Sequence, residues 1–406
     1  MPRYVVLEHV GAPDDPAGRH FDLLLEAGAA CRTWRLLTVP TAGGDAVAAL
    51  ELPPHRLVWL ERVEGEVSGG RGFARRIDAG EYEVLASDAA ELSAASALVL
   101  AMTGGVCAGR LRLQATGNGW AVSLGRSSLS PMRYAICNET YVDWPFAKAC
   151  EHAASCGYTG LEIAPFTLAS LATEVAPSAR AELRRTMQAA GLECVGLHWL
   201  LAKTEGFHAT HPDPAVRQRT VEYLGELARL CVDLGGRVLV FGSPKQRSLL
   251  PGVSHEQATH HLEEVFSRLV PVLEATGTVV ALEPLSPVET DVLTTAKETC
   301  RLIERIGSPH VRLHLDVKAM SSEPLAIPDI IHASAGHLEH FHANDVNLQG
   351  PGFGDVDFVP IFRALDEIHY TGWVSVEVFD YAPGAERLAG ESIDFMRRTA
   401  AAVAGF

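Results

Sequence analysis

Four polar residues sit where apolar runs end: Glu283 closes VVALE, Asp316 closes VRLHLD, His342 lies in LEHFHA and Glu377 lies in WVSVEVF. A strand interior favours apolar residues, and a charge placed there has to be paired or bound to something. Four such residues, at similar points of four successive strand-and-helix units, read as one converging site. Three carboxylates and one imidazole suit a divalent cation that keeps open positions: Mn²⁺, Mg²⁺, Co²⁺ or, less typically, Zn²⁺. A cation bridging two vicinal oxygens of a hydroxy-ketone polarises the carbonyl and stabilises an enediolate, while carboxylates on either face can move the proton. That is the chemistry of aldose–ketose isomerisation or of epimerisation.

The elements that must position the quartet follow an alternating pattern. From residue 132 onward, short apolar runs alternate with amphipathic helical stretches eight times. The runs span 134–138, 160–165, 193–198, 238–242, 279–283, 311–316, 338–343 and 373–378. Between them, 214–236 has Val216, Tyr223, Leu224, Leu227 and Leu230 on one face, with Asp213-Pro214 as a start and Gly235-Gly236 as a stop. Eight such units predict a closed (β/α)8 TIM barrel, with its site at the carboxyl ends of the strands. An open doubly wound sheet is the alternative. It would need a nucleotide loop, and no G-x-G-x-x-G follows any of these runs.

Residues 1–125 have a different texture. YVVLEHV, HFDLLLE, HRLVWLE, YEVLA, RLRLQAT and GWAVSLG are short strand-like runs separated by Gly- and Pro-rich turns, and only 88–102 reads as a short helix. This predicts a small, mostly-β, barrel-like domain over 1–125, a polar linker at 126–131 and the barrel over 132–406.

The bulk numbers exclude some classes. The chain of 406 residues is 47% hydrophobic and 21% charged, with no apolar run long enough to cross a bilayer. The start, MPRYVVLEHVG, turns polar after one short run and lacks a secretory core. Eight cysteines show neither a C-x-x-C pair nor a framework spacing, so they read as buried thiols in a reducing, cytoplasmic setting. Of the net charge of −16, residues 1–131 carry −3 (12 Arg, no Lys, 15 Asp+Glu) and the remainder −13 (22 against 35). So acidic a barrel is a poor nucleic-acid binder. Only the arginine-bearing N-terminal part keeps nucleic acid as a partner. For the barrel, the partner expected is a small carbohydrate, with a homo-oligomer left open.

Other polar residues point at the same mouth: Asn138, Glu162, His198, Lys203, Glu289 and Lys318. His198, at the end of its run, is the lone histidine best placed to touch substrate. Lys318 either holds a substrate oxygen or phosphate, or pairs with Glu323. The loop FGSPKQR (241–247) offers a cation pair that suits a phosphate, or else is a solvated loop. His255, His260 and His261 fall on a helix-like segment and read as surface residues.

With these residues in place, 132–403 resembles the xylose-isomerase-like sugar-phosphate isomerase/epimerase superfamily, with ketose 3-epimerases the nearest well-understood relatives. ALEP at Glu283, LHLD at Asp316, HFHAND at His342, PGFGDVDF at 351–358 and VSVEVFD at Glu377 follow in family order and spacing. The resemblance implies that Glu283, Asp316, His342 and Glu377 bind the metal, that Glu283 and Glu377 form the acid–base pair, and that Glu289 contacts substrate. Two positions depart from it. Ala319 stands where the epimerases carry a histidine and Leu348 where they carry an arginine, so the identity of the sugar does not transfer. Ala319 also departs from endonuclease IV, whose multi-zinc cluster needs that histidine.

Residues 1–125 resemble the 3′-phosphoesterase domain of bacterial DNA ligase D, through VVLEH at His9, HFDLLLE at His20 and Asp22, and HRLVWLE at His55. The resemblance implies His9, His20 and Asp22 as Mn²⁺ ligands and His55 as a phosphate contact. The H-x-D spacing puts His20 and Asp22 on one face of a strand. The family's arginine two residues past the aspartate is Leu24 here, with Arg56 or Arg71 as replacements. The expected function is therefore a divalent-metal-dependent sugar isomerase or epimerase. The rivals are a nucleic-acid 3′-end phosphoesterase working through the N-terminal site and a non-catalytic sugar-binding protein.

Overall fold

The computed structural model describes residues 1–12, 18–42, 44–89, 91–125 and 132–405. The linker assigned to 126–131 lies outside them. The chain divides into two compact units, Met1–Ser130 and Pro131–Ala404.

In the first unit the apolar runs become β1 (Arg3–Val10), β2 (Arg19–Ala27), β3 (Ala30–Leu36), β4 (Val47–His55), β5 (Glu64–Glu66), β6 (Phe73–Ser87), β7 (Ala97–Met102), β8 (Gly109–Thr116) and β9 (Gly119–Gly125). They pair antiparallel in the order β1-β2-β3-β4-β9-β8-β7-β6-β5. The long β6 pairs with β1 over one half and with β7 over the other, which closes the sheet on itself. Tyr4, Val6, Leu23, Leu25, Trp34 and Leu113 fill one side. Side chains one step along the same strands point the other way, where Val5, Leu7, Leu24 and Cys31 pack against Leu60 of the turn Leu57–Glu61. His9, His20 and Asp22 continue that second row.

The stretch 88–102 is not the helix its composition suggests. It forms a turn, Leu92–Ala94, followed by β7. Asp88 Oδ1 accepts the backbone N–H of Ser96 at 2.8 Å and of Ala97 at 3.0 Å, which turns the chain back toward the sheet. There β7 lies between β6 and β8 with Leu98 and Leu100 in the core. Strand pairing and burial override local propensity.

The second unit is a closed barrel of eight parallel strands: β10 (Arg133–Cys137), β11 (Gly160–Ile163), β12 (Glu193–Leu197), β13 (Val238–Phe241), β14 (Val279–Leu282), β15 (Val311–Asp316), β16 (Leu338–Ala343) and β17 (Trp373–Val376). Helices α1 (Phe146–Cys156), α2 (Pro177–Ala189), α3 (Pro214–Leu234), α4 (His255–Thr276) and α5 (Ala296–Ile306) follow β10 to β14 in turn. The short α6 (Val317–Met320) and α7 (Ile327–Ser334) follow β15, α8 (Phe358–Glu367) follows β16, and α9 (Ala385–Gly405) follows β17. Helix α3 shows why the boundaries fall where they do. Asp213 accepts the Ala215 N–H, Pro214 opens the first turn, and Gly235 ends the helix at φ +91. All eight cysteines are unpaired thiols, and burial pushes that of Cys137 up to about 11. Among the described residues no helix is long and apolar enough to cross a membrane.

Strand contact is tightest at Gly196 of β12, where an added Cβ would run into the Val238 carbonyl of β13. Gly196→Ala must push two barrel strands apart. It should lower unfolding stability by about 2 kcal/mol or more, a typical cost of strain in a packed core, measured by urea denaturation. A change under about 0.5 kcal/mol would show that the strands slide freely.

Candidate metal centre

The register of the barrel brings the quartet to one place. Asp316 ends β15 and is the cross-strand partner of His342 in β16. Glu283 and Glu377 each lie one residue past a strand. Their backbone N–H groups still bond into the sheet, to Phe241 O at 3.1 Å and Ala343 O at 3.3 Å. All four are buried, Glu283 being the most open at 7%. The donor atoms of Glu283, His314, Asp316 and His342 lie within 4.8 Å of one another. Glu377 joins this group through its Oε2, 3.0 Å from His342 Nδ1, while its Oε1 accepts the Trp199 Nε1–H at 2.6 Å.

A second polar layer lies beneath. Glu162 accepts from His340 Nε2 at 2.8 Å and from His342 Nε2 at 3.1 Å, and His198 Nε2 bonds Glu139 at 2.9 Å. Asn344 donates to Asp316 and accepts the Lys318 N–H at 2.8 Å. Arg247, fully buried, donates to the main-chain carbonyl of Glu283 at 2.6 Å.

The electrostatics separate the carboxylates into two kinds. Burial alone would raise Glu162, but His340 and His342 outweigh it and hold the carboxyl well below its usual range. Glu377 is likewise lowered against its burial, by His342 and then Trp199. Glu283 has no such partner: burial, then Glu377 and Asp316, push it well up. Burial and Glu377 raise Asp316 to about 6. Glu162 and Glu377 push His342 well up against its burial. Two carboxyls that resist ionising, next to an imidazolium clamped between two more, form a pocket short of positive charge. Among the described residues neither ring nitrogen of buried His314 has a hydrogen-bond partner. Oxygen and imidazole donors in this balance fit a divalent cation, which can take the place of the protons they now hold.

The other expected residues separate into those at the mouth and those below it. A cavity of 330 Å³ that reaches Glu283 and Glu377 of the quartet is also lined by Glu289, Trp199 and Lys245. Glu289 already bonds the Lys318 ammonium at 2.7 Å, so Lys318 pairs with it and not with Glu323, which accepts the Ala296 N–H instead. Asn138 borders a larger groove, its amide occupied by Thr167 and Ala164. The expected substrate contacts of Glu162 and His198 need correction. Both are fully buried and line neither cavity; they brace His342 and Glu139 from below. Of the cation pair in 241–247, Lys245 reaches the cavity while Arg247 is buried under Glu283, so the loop offers one cation. His255 and His260 are exposed on α4, and His261 bonds Thr210 O at 3.0 Å.

Sequence reasoning missed His314, Trp199, Asn344 and Glu139. His314 was signalled by alternation, since it stands two residues before Asp316 on the same face of β15. Trp199 gave no such signal: its side chain reaches Glu377 only because its backbone adopts φ +51.

The first unit holds a separate cluster. The donor atoms of His9, His20 and Asp22 lie within 4.8 Å, and His9 faces His20 across β1 and β2. A 120 Å³ cavity there is also lined by Arg35, His55, Trp59 and Arg71. Arg35, directly across β3 from Asp22, places Nε 3.2 Å from its carboxylate. The nearest guanidinium therefore comes from a position the sequence did not suggest, and Arg56 is not among the lining residues.

A family model described as xylose isomerase-like TIM barrel matches residues 150–399. An L-ribulose 3-epimerase of Mesorhizobium japonicum is 32% identical over 171 residues, 41% of this chain and 56% of the relative. An L-ribulose 3-epimerase of a Methylomonas species is 27% identical over 58% of this chain and 80% of the relative. The chain thus spans just over half the length of the first relative. The crystal structure of a D-psicose 3-epimerase from Clostridium cellulolyticum H10, with D-tagatose, is similar at a TM-score of 0.59 and 21% identity, over 66% of this chain and 99% of that one. At that identity the likeness is one of fold.

The raised carboxyls make metal loading pH-dependent. Below about 6 a cation must displace protons from Asp316 and Glu283; above it Asp316 is already ionised and only Glu283 resists. Titrating Mn²⁺ into metal-free protein should show proton release, and an affinity that rises about tenfold per pH unit where one proton is displaced. Affinity that is flat between pH 5 and 7 would contradict this charge balance.

Proposed function

Because the chain belongs to the xylose isomerase-like TIM barrel family, we propose that its barrel is a divalent-metal-dependent isomerase or epimerase of a small sugar or sugar phosphate, with Glu283 and Glu377 as the acid–base pair. The observation that carries this reading is the convergence of these two glutamates on one cavity, beside Asp316 and His342. Two carboxylates facing one substrate can take a proton and return one. The names of the curated relatives, 3-epimerases of ketoses, support the same chemistry.

Isomerisation or epimerisation removes a proton from a carbon next to a carbonyl and returns one elsewhere or to the other face. Glu377, bonded by His342 and aimed by Trp199, and Glu283 line one cavity, where one carboxylate is placed to take the proton and the other to return one. A divalent cation held by Glu283, Asp316, His342 and Glu377 would polarise the carbonyl and offset the charge of the enediolate. The rings of Trp199 and Phe379, stacked 6.0 Å apart, form an apolar edge of the cavity. The Lys318–Glu289 pair nearby offers hydrogen-bonding groups to substrate hydroxyls.

Metal-loaded protein mixed with ketoses and ketose phosphates in D₂O should exchange deuterium into the carbon beside the carbonyl. Glu377→Gln should slow that exchange by about 10²–10⁴-fold, with metal content followed in parallel by elemental analysis. Wild-type exchange in a fully metal-loaded Glu377→Gln protein would end this reading.

The convergence of His9, His20 and Asp22 beside Arg35 and Arg71 favours a second activity, phosphoester hydrolysis at a nucleic-acid 3′ end. The guanidinium groups would balance the charge that develops on a phosphoryl group. Manganese-dependent phosphate release from a 3′-phosphorylated primer should fall to background in His20→Ala. The absence of release from any 3′ end in the wild-type protein would count against it.

A further inference from the structure

Two cavities meet at the barrel mouth and share Trp199, Lys203 and Phe379. The smaller, 330 Å³, holds Glu283 and Glu377 and reaches the size at which pockets begin to enclose a whole small ligand, ~300 Å³. The larger, 880 Å³, extends from it over the loops after β10 and β11. One sugar ring in the catalytic cavity leaves that groove unfilled.

The groove has a definite chemistry. Trp144, Phe166, Trp199, Phe379 and Tyr381 line it, all half-buried with part of each side chain open. Phe166, Trp199 and Phe379 adjoin, with successive ring centroids 5.6 and 6.0 Å apart, and lysine ammonium groups cover one face each of Trp144, Phe166 and Phe379. Asp143, Glu182 and Lys203 stand among them. A lipid chain gains nothing from such polar groups, and Glu139, Asp143 and Glu182 are balanced by Lys203 and by the ammonium groups of Lys148 and Lys318 over the Trp144 and Phe379 rings, which leaves no single sign of charge to select an ion. A sugar ring matches both features: its C–H face lies on aromatic surfaces while its hydroxyls take hydrogen bonds from the polar groups between them.

Trp199 joins the groove to the chemistry. Its φ of +51 is a strained conformation for a residue with a bulky side chain, of the kind that persists where a site requires it. Its indole edge donates to Glu377 while its ring faces Phe166 and Phe379. A group resting on this ring bears on the residue that aims Glu377.

We propose that the substrate is a glycosylated keto-sugar: the reacting ring occupies the cavity at Glu283 and Glu377, and a second, neutral sugar ring occupies the aromatic groove. This rests on the reading of the barrel as a sugar isomerase or epimerase and names its substrate class. The test compares fructose with isomaltulose and lactulose, which are fructose carrying a glucosyl group on O6 and a galactosyl group on O4. Binding to the full-length, Mn²⁺-loaded protein is measured by calorimetry, and deuterium exchange is followed on the same samples. At least one disaccharide should bind about tenfold or more tighter than fructose. In Trp144→Ala, and independently in Phe166→Leu, that ratio should fall to about one, with thermal melts confirming that each variant is folded. Disaccharides that bind no better than fructose, or not at all, overturn the proposal, as does a ratio unchanged in both variants. The two readings can fail separately. Exchange into fructose alone keeps the isomerase and removes the groove's ligand; tight, Trp144-dependent disaccharide binding without exchange into any sugar does the reverse.

Discussion

The barrel mouth depends on one buried arrangement of charge, the His342 ring held between Glu162 and Glu377. Each of these groups would be costly to bury alone, and losing one partner of such a set typically costs ~3–5 kcal/mol because the other is left uncompensated. Together they leave one negative charge in excess. Burial first, and then the charge of Glu377, pushes both Glu283 and Asp316 up. The raised Glu283, the lowered Glu377 and the fit of the site to a divalent ion follow from burial together with this arrangement.

The fold supplies the geometry through strand alternation. Residues two apart on β15 and β16 point the same way, so His314 stands under Asp316 and His340 under His342. The upper residue of each pair faces the mouth, and the lower one fills the barrel and fixes what lies above it. Glu162 and His198, polar and at strand ends, are fully buried and bonded to His340, His342 and Glu139. In the first unit the same rule separates an apolar inner row from the outer row that ends in His9, His20 and Asp22.

The barrel was legible in the alternation of apolar runs with amphipathic stretches, and the quartet in charged or imidazole side chains at the ends of apolar runs. What was not legible depended on the third dimension. The stretch 88–102 has helical composition, and only its neighbours β6 and β8 make a strand of it. Trp199 reaches Glu377 through one unusual backbone angle, which no side-chain pattern encodes. Arg35 lies thirteen residues from Asp22 in sequence and opposite it in register, so a hairpin had to be paired before the contact could be seen. Depth was also hidden. A strand-end histidine looks the same whether it meets solvent or a buried glutamate, and His198 meets Glu139.

Arg247 grips Glu283 by its main-chain carbonyl and leaves the carboxylate alone. The same guanidinium also reaches Leu293 O at 3.4 Å, so it ties the loop after β14 together from below. The backbone at Glu283 is thus anchored by a bond that ignores whether the side chain carries a proton, holds an ion or faces a substrate. A socket anchored in this way keeps its shape when it is emptied. Binding of the proposed cation would then need no refolding of this loop.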